Sequence, residues 1–313
     1  MSTPLLVVVG PTASGKTSLA CALARELSAE IVSADSQQCY RGLDAGTAKP
    51  TAEERSGAPH HLLDVADPEE QLDAARFVQL ADAAIAEIAR RGKRIIVAGG
   101  TGLWIRALLR GLLDAPGASG EFRARFRGEL EVQGLAALHA RLATVDPEAA
   151  RAIRPNDRVR IERALEVHAL SGRRLSELQR EHSFAEERYP ARIVRLEPPR
   201  ELLQERIARR TRTLFESGAL EREARWLLDR CERIPGAHRA LKIIGYGEMA
   251  DVLAGRCTRA EAEERVAART RQYAKRQRTW FTKEYGATAA AWPPDAARLC
   301  AGVAQWYEGA SRR

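Results

Sequence analysis

Residues 10–17 read Gly-Pro-Thr-Ala-Ser-Gly-Lys-Thr and follow directly on the apolar run Leu5–Val9. The pattern G-x-x-x-x-G-K-[ST], placed after a strand and at the start of a helix, is a phosphate-binding loop. It commits the N-terminal segment to a strand, a tight turn and a helix in that order. The backbone N–H groups of residues 12–17 are expected to turn inward as an anion nest. The helix N-terminus adds roughly half a positive charge. Lys16 supplies a full charge, and the Thr17 hydroxyl is a candidate Mg²⁺ ligand. The expected diphosphate-binding set is therefore Gly10, Pro11, Thr12, Ala13, Ser14, Gly15, Lys16 and Thr17.

Further along, strand-like and helix-like segments alternate. Ile31-Val32 reads as a second strand and Leu62–Val65 as a third. Ala74–Arg91 carries Phe77, Leu80, Ala84, Ile85 and Ile88 at helical spacing. Ile95–Ala98 is a buried strand closed by Gly99-Gly100-Thr101-Gly102, with a helix over Leu103–Leu109. Such alternation predicts an α/β fold, a P-loop NTPase-like parallel sheet with helices on both faces. After the linker-like Pro116–Gly120 the pattern becomes purely helical as far as Glu187, broken near Gly134, Asp146-Pro147, Pro155-Asn156 and Gly172. Arg192–Leu196 then returns to a strand, and the rest is helical, with a Gly-Tyr-Gly turn at 245–247. An all-helical block between strands predicts an inserted domain. The expected division is a core of 1–115 with 190–313, and an inserted helical domain over 116–189.

The chain has 313 residues, 45% of them hydrophobic, so a full core is available. A formal charge of +8 suits a polyanionic partner without requiring one. The five cysteines, Cys21, Cys39, Cys231, Cys257 and Cys300, show no metal-ligand spacing and read as reduced thiols of a cytoplasmic protein. Met1–Pro4 lacks a basic leader segment, and no stretch approaches the length of a membrane span.

What the loop grips is open at this level. A nucleotide-hydrolysing enzyme usually has a later apolar strand ending in Asp that helps to hold Mg²⁺. Here Ile95–Ala98 ends in Gly99-Gly100, and Leu62-Leu63-Asp64 is a weaker candidate. A loop that holds a diphosphate without hydrolysing a nucleotide fits this pattern.

A series of segments in fixed order resembles the bacterial tRNA dimethylallyltransferases, also called tRNA isopentenyltransferases. They are residues 10–17, Asp35–Gly42, Gly46–Pro50, His60–Asp64, Gly99–Leu103, Asp146-Pro147, Arg163–Val167, Ile244–Tyr246 and Thr270–Trp280. The chain departs from the family at Trp104, where Tyr is usual, at Leu214, where Met is common, and at Gly247, where Lys or Arg is common. The resemblance implies transfer of a dimethylallyl group from dimethylallyl diphosphate to N6 of the adenosine 3′ of the anticodon. It implies Mg²⁺ as cofactor, a tRNA anticodon stem-loop and dimethylallyl diphosphate as partners, and a monomer.

On that reading Asp35, just past a strand's C-terminal end, accepts a hydrogen bond from N6 and acts as general base. Its alternative is a turn residue. Thr101 touches the adenosine or the leaving diphosphate, or else caps a helix. Its flanking glycines are expected to let the substrate approach the backbone. Lys16 stabilises charge on the departing oxygen, and Arg210 is a further candidate for the diphosphate. The expected tRNA contacts are Asp35, Ser36, Gln37, Gln38, Thr101, Arg123, Val159, Arg160, Ile161, Glu162, Arg163, Ala240, Leu241, Lys242, Ile243, Ile244 and Gly245. Arg271, Lys275, Arg276 and Arg278 join them from a basic block interleaved with Tyr273, Trp280 and Phe281. That block suits phosphate contact and base stacking; its alternative is a solvated helix face with Trp280 buried. Two other activities stay open: a P-loop small-molecule kinase, and prenylation of free adenine nucleotides.

Overall fold

A computed structural model of the chain describes residues 3–285, 290 and 292–310. Met1 and Ser2, part of the segment read for a leader, lie outside the described residues. The chain divides into two compact units, Met1–Leu109 with Arg188–Arg313, and Arg110–Glu187.

In the first unit the elements run β1 (Leu5–Val9), α1 (Lys16–Leu27), β2 (Ala29–Ser33), α2 (Ala52–Ser56), β3 (His60–His61), α3 (Ala74–Arg90), β4 (Arg94–Gly99) and α4 (Gly102–Arg110). The second unit holds α5 (Gly120–Val145), α6 (Pro147–Ala152), α7 (Arg158–Ser171) and α8 (Leu175–His182). The first unit resumes with β5 (Ala191–Arg195), α9 (Arg200–Glu216), α10 (Ala219–Arg233), a 3₁₀ turn (Ala237–Lys242), α11 (Tyr246–Leu253), α12 (Arg259–Tyr285) and α13 (Ala296–Ala310).

The sheet has the order β3-β2-β4-β1-β5, and every pairing in it is parallel. The central strands β1 and β4 are short, apolar and largely buried on both faces, which is why they read as continuous hydrophobic runs, whereas the edge strands β3 and β5 are partly exposed. Alternate side chains feed two cores. Leu5, Val7, Val9, Val32, Ile95 and Val97 pack with Phe77 and Ile85 of α3 and Ile105 and Leu108 of α4. Leu6, Val8, Ile31 and Ile96 pack with Leu19 and Leu23 of α1 and Val303 and Tyr307 of α13. Fully burying each such side chain contributes roughly 1.5–3 kcal/mol. Helices thus cover both faces of a parallel sheet, as the alternation predicts.

Two local expectations are corrected. The third strand is His60–His61, not Leu62–Val65. Leu62 and Asp64 have φ of 64° and 56°, so the chain turns there instead of extending. At 245–247 only Gly245 turns, with φ 107°, while Tyr246 already begins α11.

In the second unit the breaks fall at the expected residues. Gly134 kinks α5 with φ 77°, Asp146 ends α5 and caps α6, and Gly172 closes α7 in the left-handed region. Its core gathers Phe122, Phe126, Leu138, Leu142, Ile161 and Leu165. Glu166 is 0% exposed and accepts hydrogen bonds from Arg163 (2.8 Å), Arg123 (3.1 Å) and the Ser119 N–H (2.8 Å).

Candidate active site

The C-terminal ends of parallel strands are where ligands bind in open α/β sheets. At β1 this end is the loop 10–17. Gly10 has φ 155°, and a Cβ there would lie 2.8 Å from the Leu196 carbonyl, so only glycine fits. Gly15 caps α1 with φ 87° and offers no side-chain acceptor. The N–H groups of the first turn of α1 are therefore left for an anion.

The inward nest expected over 12–17 is only partly formed. The Thr12 N–H donates to Gln277 Oε1 (2.7 Å), and the Ser14 N–H donates to the Pro11 carbonyl (3.2 Å). Lys16 Nζ also donates to that carbonyl, at 2.8 Å. Thr12, Ala13, Gly15, Lys16 and Thr17 line a cleft of about 930 Å³; Gly10, Pro11 and Ser14 are buried behind it.

Asp35 lies two residues past β2 and lines the same cleft. Its Oδ1 accepts the Gln37 N–H at 2.9 Å. This is the turn role of an Asp, and it leaves Oδ2 without a hydrogen-bond partner among the described residues. Thr101 follows β4 but is not on the cleft wall. Its Oγ1 accepts the Ser36 N–H (2.9 Å) and donates to Ser36 Oγ (3.2 Å). The helix-capping alternative is met only by the Thr101 carbonyl, which accepts from Trp104 and Ile105.

Of the glycines around Thr101, Gly99 lines the cleft, Gly100 and Gly102 lie off its wall, and all three are required by packing. A Cβ on Gly99 would sit 2.2 Å from the Ala34 carbonyl, one on Gly100 2.2 Å from Gln277 Nε2, and one on Gly102 2.2 Å from Trp280. The same contact at Gly99 leaves no room for a strand-end Asp.

The cleft is electropositive. Lys16, Arg206, Arg209, Arg210, Arg269 and Arg276 line it, against the carboxylates of Asp35 and Glu54. Burial lowers the Lys16 ammonium to about 8; Asp35 opposes the shift and Arg210 adds to it. Arg210 is likewise lowered by burial, with Asp35 opposing. Its Nη1 donates to Thr12 Oγ1 at 3.1 Å, so α9 delivers a cation to the loop. Burial, then Asp35, raises the Tyr273 phenol, and the same two causes push the Cys39 thiol up to about 12.

Several lining residues escaped the sequence reading. Arg206 and Arg209 gave no signal beyond a charged helix. Lys49 lay in plain view within Gly46–Pro50. Its ammonium, 1% exposed, bonds Tyr40 O (2.5 Å), Asp44 (2.6 Å) and Asp64 (2.5 Å), and so braces the 40–64 loop. Gln277 and Tyr273 lie in a block whose charge and aromatic rings suggest RNA contact, and neither property marks them as cleft residues.

The expected tRNA contacts scatter. Gln37 and Gln38 line the cleft, and Gln38 Nε2 donates to Ala48 O at 2.9 Å; Ser36 is held by Thr101. Lys242, Ile243 and Ile244 line it too, whereas Ala240 is 3% exposed in a core and Leu241 and Gly245 are off the wall. On α12, Arg276 reaches the cleft, Arg271 and Lys275 are exposed, and Arg278 pairs with Glu197 (2.8 Å). Phe281 is core, and Trp280 packs on Gly102 beneath Arg106, so neither is a free stacking platform. In the helical unit Val159 and Arg160 are exposed, and Glu162 is half-buried. Ile161 is 0% exposed, and Arg123 and Arg163 are engaged by Glu166. Ile161 and Ala240 thus offer no side chain to a ligand.

The IPP transferase family matches residues 38–284. The chain belongs to that family. The phosphate loop and Asp35 precede the matched residues, so their geometry is a separate observation. Among curated relatives, the tRNA dimethylallyltransferase of Anaeromyxobacter dehalogenans (strain 2CP-C) is 56% identical over 93% of this chain and 96% of its own length. That of Myxococcus xanthus (strain DK1622) is 50% identical over 94% of each. Among solved structures, the tRNA isopentenylpyrophosphate transferase of Bacillus halodurans superposes with a TM-score of 0.71, at 37% identity, over 99% of this chain and 98% of its own. A eukaryotic dimethylallyltransferase acting on tRNA superposes with a TM-score of 0.82, at 26% identity, over 98% of this chain and 80% of its own. For this IPP transferase family member, the donor chemistry around the loop suits a hard cation. The Thr17 hydroxyl has no hydrogen-bond partner among the described residues, and Asp35 Oδ2 shares its cleft. No cluster of three or more His, Cys, Asp or Glu among the described residues forms a ready metal cage. Phosphate oxygens of a bound donor would have to complete the shell, the usual pattern for Mg²⁺. Among the described residues no helix is long and apolar enough to cross a membrane.

Proposed function

We propose that the chain transfers a dimethylallyl group from dimethylallyl diphosphate to N6 of the adenosine 3′ of the anticodon in tRNA, releasing diphosphate. The observation that carries this reading is the meeting of Asp35 with Lys16 and Arg210 in one cleft at the strand ends. An acceptor for a proton and two half-buried cations for a leaving anion suit a displacement of diphosphate by an amine.

In the reaction the N6 lone pair forms the bond to C1 of the donor. The C1–O bond breaks, and its electron pair leaves on the diphosphate. The N6 proton passes to Asp35, whose Oδ2 is the open oxygen while Gln37 N–H fixes the other. Lys16, Arg210 and the first-turn N–H groups of α1 hold the diphosphate and stabilise the charge that develops on it. Mg²⁺, held by Thr17 and phosphate oxygens, would supply further neutralisation of that charge. Thr101 holds Ser36, and with it the backbone that carries Asp35.

The adenosine must leave the anticodon-loop stack, at a cost of a few kcal/mol in a single-stranded loop. The exposed Arg271 and Lys275 and the cleft-lining Arg276 supply phosphate contacts for this RNA. The exposed Val159–Arg160 edge of the helical unit is assigned to the same substrate. A monomer working where tRNA is, in the cytoplasm, belongs to the same reading.

The test is incubation with labelled dimethylallyl diphosphate, Mg²⁺ and either tRNA or AMP, with and without ATP. Label is expected in tRNA, without ATP. Label in AMP, or an absolute need for ATP, would replace this reading with nucleotide prenylation or a kinase.

A further inference from the structure

Gln277 is 5% exposed on α12, between Arg276 and Arg278. Both ends of its carboxamide are used. Oε1 accepts the Thr12 N–H at 2.7 Å, and Nε2 donates to the Gly100 carbonyl at 2.9 Å. Tyr273, one turn earlier, lines the same cleft. In a planar trans peptide the C=O and N–H point to opposite sides. Holding the Thr12 N–H toward α12 therefore turns the Pro11 carbonyl away from it. There the carbonyl receives Lys16 Nζ (2.8 Å) and the Ser14 N–H (3.2 Å).

We propose that Gln277 is a positioning residue that orients the Pro11–Thr12 peptide, and through it Lys16, for the donor diphosphate. The donor loop is thereby set by the same helix that presents Arg271 and Lys275 to solvent. Gln277 acts through the loop and touches neither reacting atom. The inference rests on the reading of the cleft as a diphosphate site.

The test uses Gln277→Met, which keeps the length and apolar volume of the side chain but has no comparable donor or acceptor. Inorganic diphosphate with Mg²⁺ is titrated calorimetrically into the full chain, and a tRNA anticodon stem-loop is titrated separately. The diphosphate Kd is expected to rise roughly tenfold, near the upper value of one lost hydrogen bond. The stem-loop Kd is expected to stay within about twofold, since the phosphate contacts of Arg271 and Lys275 lie on the exposed face of α12 and do not pass through the Pro11–Thr12 peptide. An unchanged diphosphate Kd in the folded variant overturns the proposal, because a purely structural role would lower Tm and leave the affinity of folded molecules alone. An equal rise for both ligands overturns it too, since it would mean that α12 as a whole has shifted. Gln277→Asn, which draws the carboxamide back by one methylene, is expected to show the same selective rise and serves if the Met variant does not fold. Wild-type protein that binds diphosphate yet labels no tRNA would sink the prenyl-transfer reading and leave this inference standing.

Discussion

The cleft at the strand ends and the core of the helical unit both bury charge, and they treat it in opposite ways. In the helical unit Glu166, fully buried, is matched by Arg163, Arg123 and the Ser119 N–H. Burial alone would push its carboxyl up; the hydrogen bonds outweigh it and hold the group below the usual range. In the cleft Lys16 bonds only a carbonyl and Arg210 only a hydroxyl, and neither they nor Asp35 form an ion pair among the described residues. Lys49, in the wall of the same cleft, has two carboxylates and reads as a brace. Satisfied buried charge holds a fold together, whereas buried charge short of partners is held ready for a ligand.

The contrast can be broken by substitution. Asp35→Asn is expected to lower kcat by about 10²–10⁴-fold, the usual share of a general base, with tRNA affinity and Tm almost unchanged. Near-normal turnover in steady-state assays would reduce Asp35 to a turn residue. Glu166→Ala is expected to destabilise the helical unit by about 1–3 kcal/mol, because it removes the acceptor of two partly exposed arginines and of the Ser119 N–H. Denaturant melts read this directly. The native Glu166 carboxyl lies below its unfolded value of 4.5. Its contribution is therefore present above pH about 4.5 and lost as pH falls through the native pKa. A helical unit that melts with no acid sensitivity beyond that of Glu166→Gln would contradict this. Lys16→Met should do the reverse: abolish diphosphate binding by calorimetry and raise Tm at pH 7 by on the order of 2–4 °C, since the buried ammonium is disfavoured. A lower Tm would put Lys16 with Lys49 among the braces. The smallest effect is expected for Arg271→Ala or Lys275→Ala. Each should weaken tRNA binding modestly and reduce the slope of log K against log salt by about 1. No change in slope would make that face merely solvated.

The same contrast explains what the sequence could reveal. The loop 10–17 is contiguous and its physics is local, so the strand, the turn and the opening of α1 are legible from it. The alternation of apolar runs gives the parallel sheet, and Gly134, Asp146 and Gly172 give the helix ends. Gln277 is different, because its partners Thr12 and Gly100 lie 265 and 177 residues away. No periodicity within α12 marks one glutamine as a bridge between loops. The Gly99–Gly102 segment was readable as glycine-rich but not as packed against Ala34, Gln277 and Trp280, since crowding around a missing Cβ exists only in three dimensions. The third strand was misplaced because Leu62-Leu63 is apolar enough to extend, while the observed positive φ at Leu62 is set by tertiary contacts.

The pairing of β1 with β5 carries a consequence for how the chain assembles. Leu5 aligns with Ala191, so the helical unit is synthesised entirely between the two edges that must meet. Until residues 191–195 emerge, β1 is a sheet edge with its hydrogen-bonding groups unpaired, the kind of edge that recruits other chains. Closing so long a loop is slow, while the helices within it form from local contacts. During synthesis the helical unit is therefore expected to be complete while the sheet is still one strand short. Pulse-labelled hydrogen exchange during refolding would then find α5–α8 amides protected before those of β5. Overexpression in the cold, which slows the chain without hastening closure, should favour aggregates joined through that open edge.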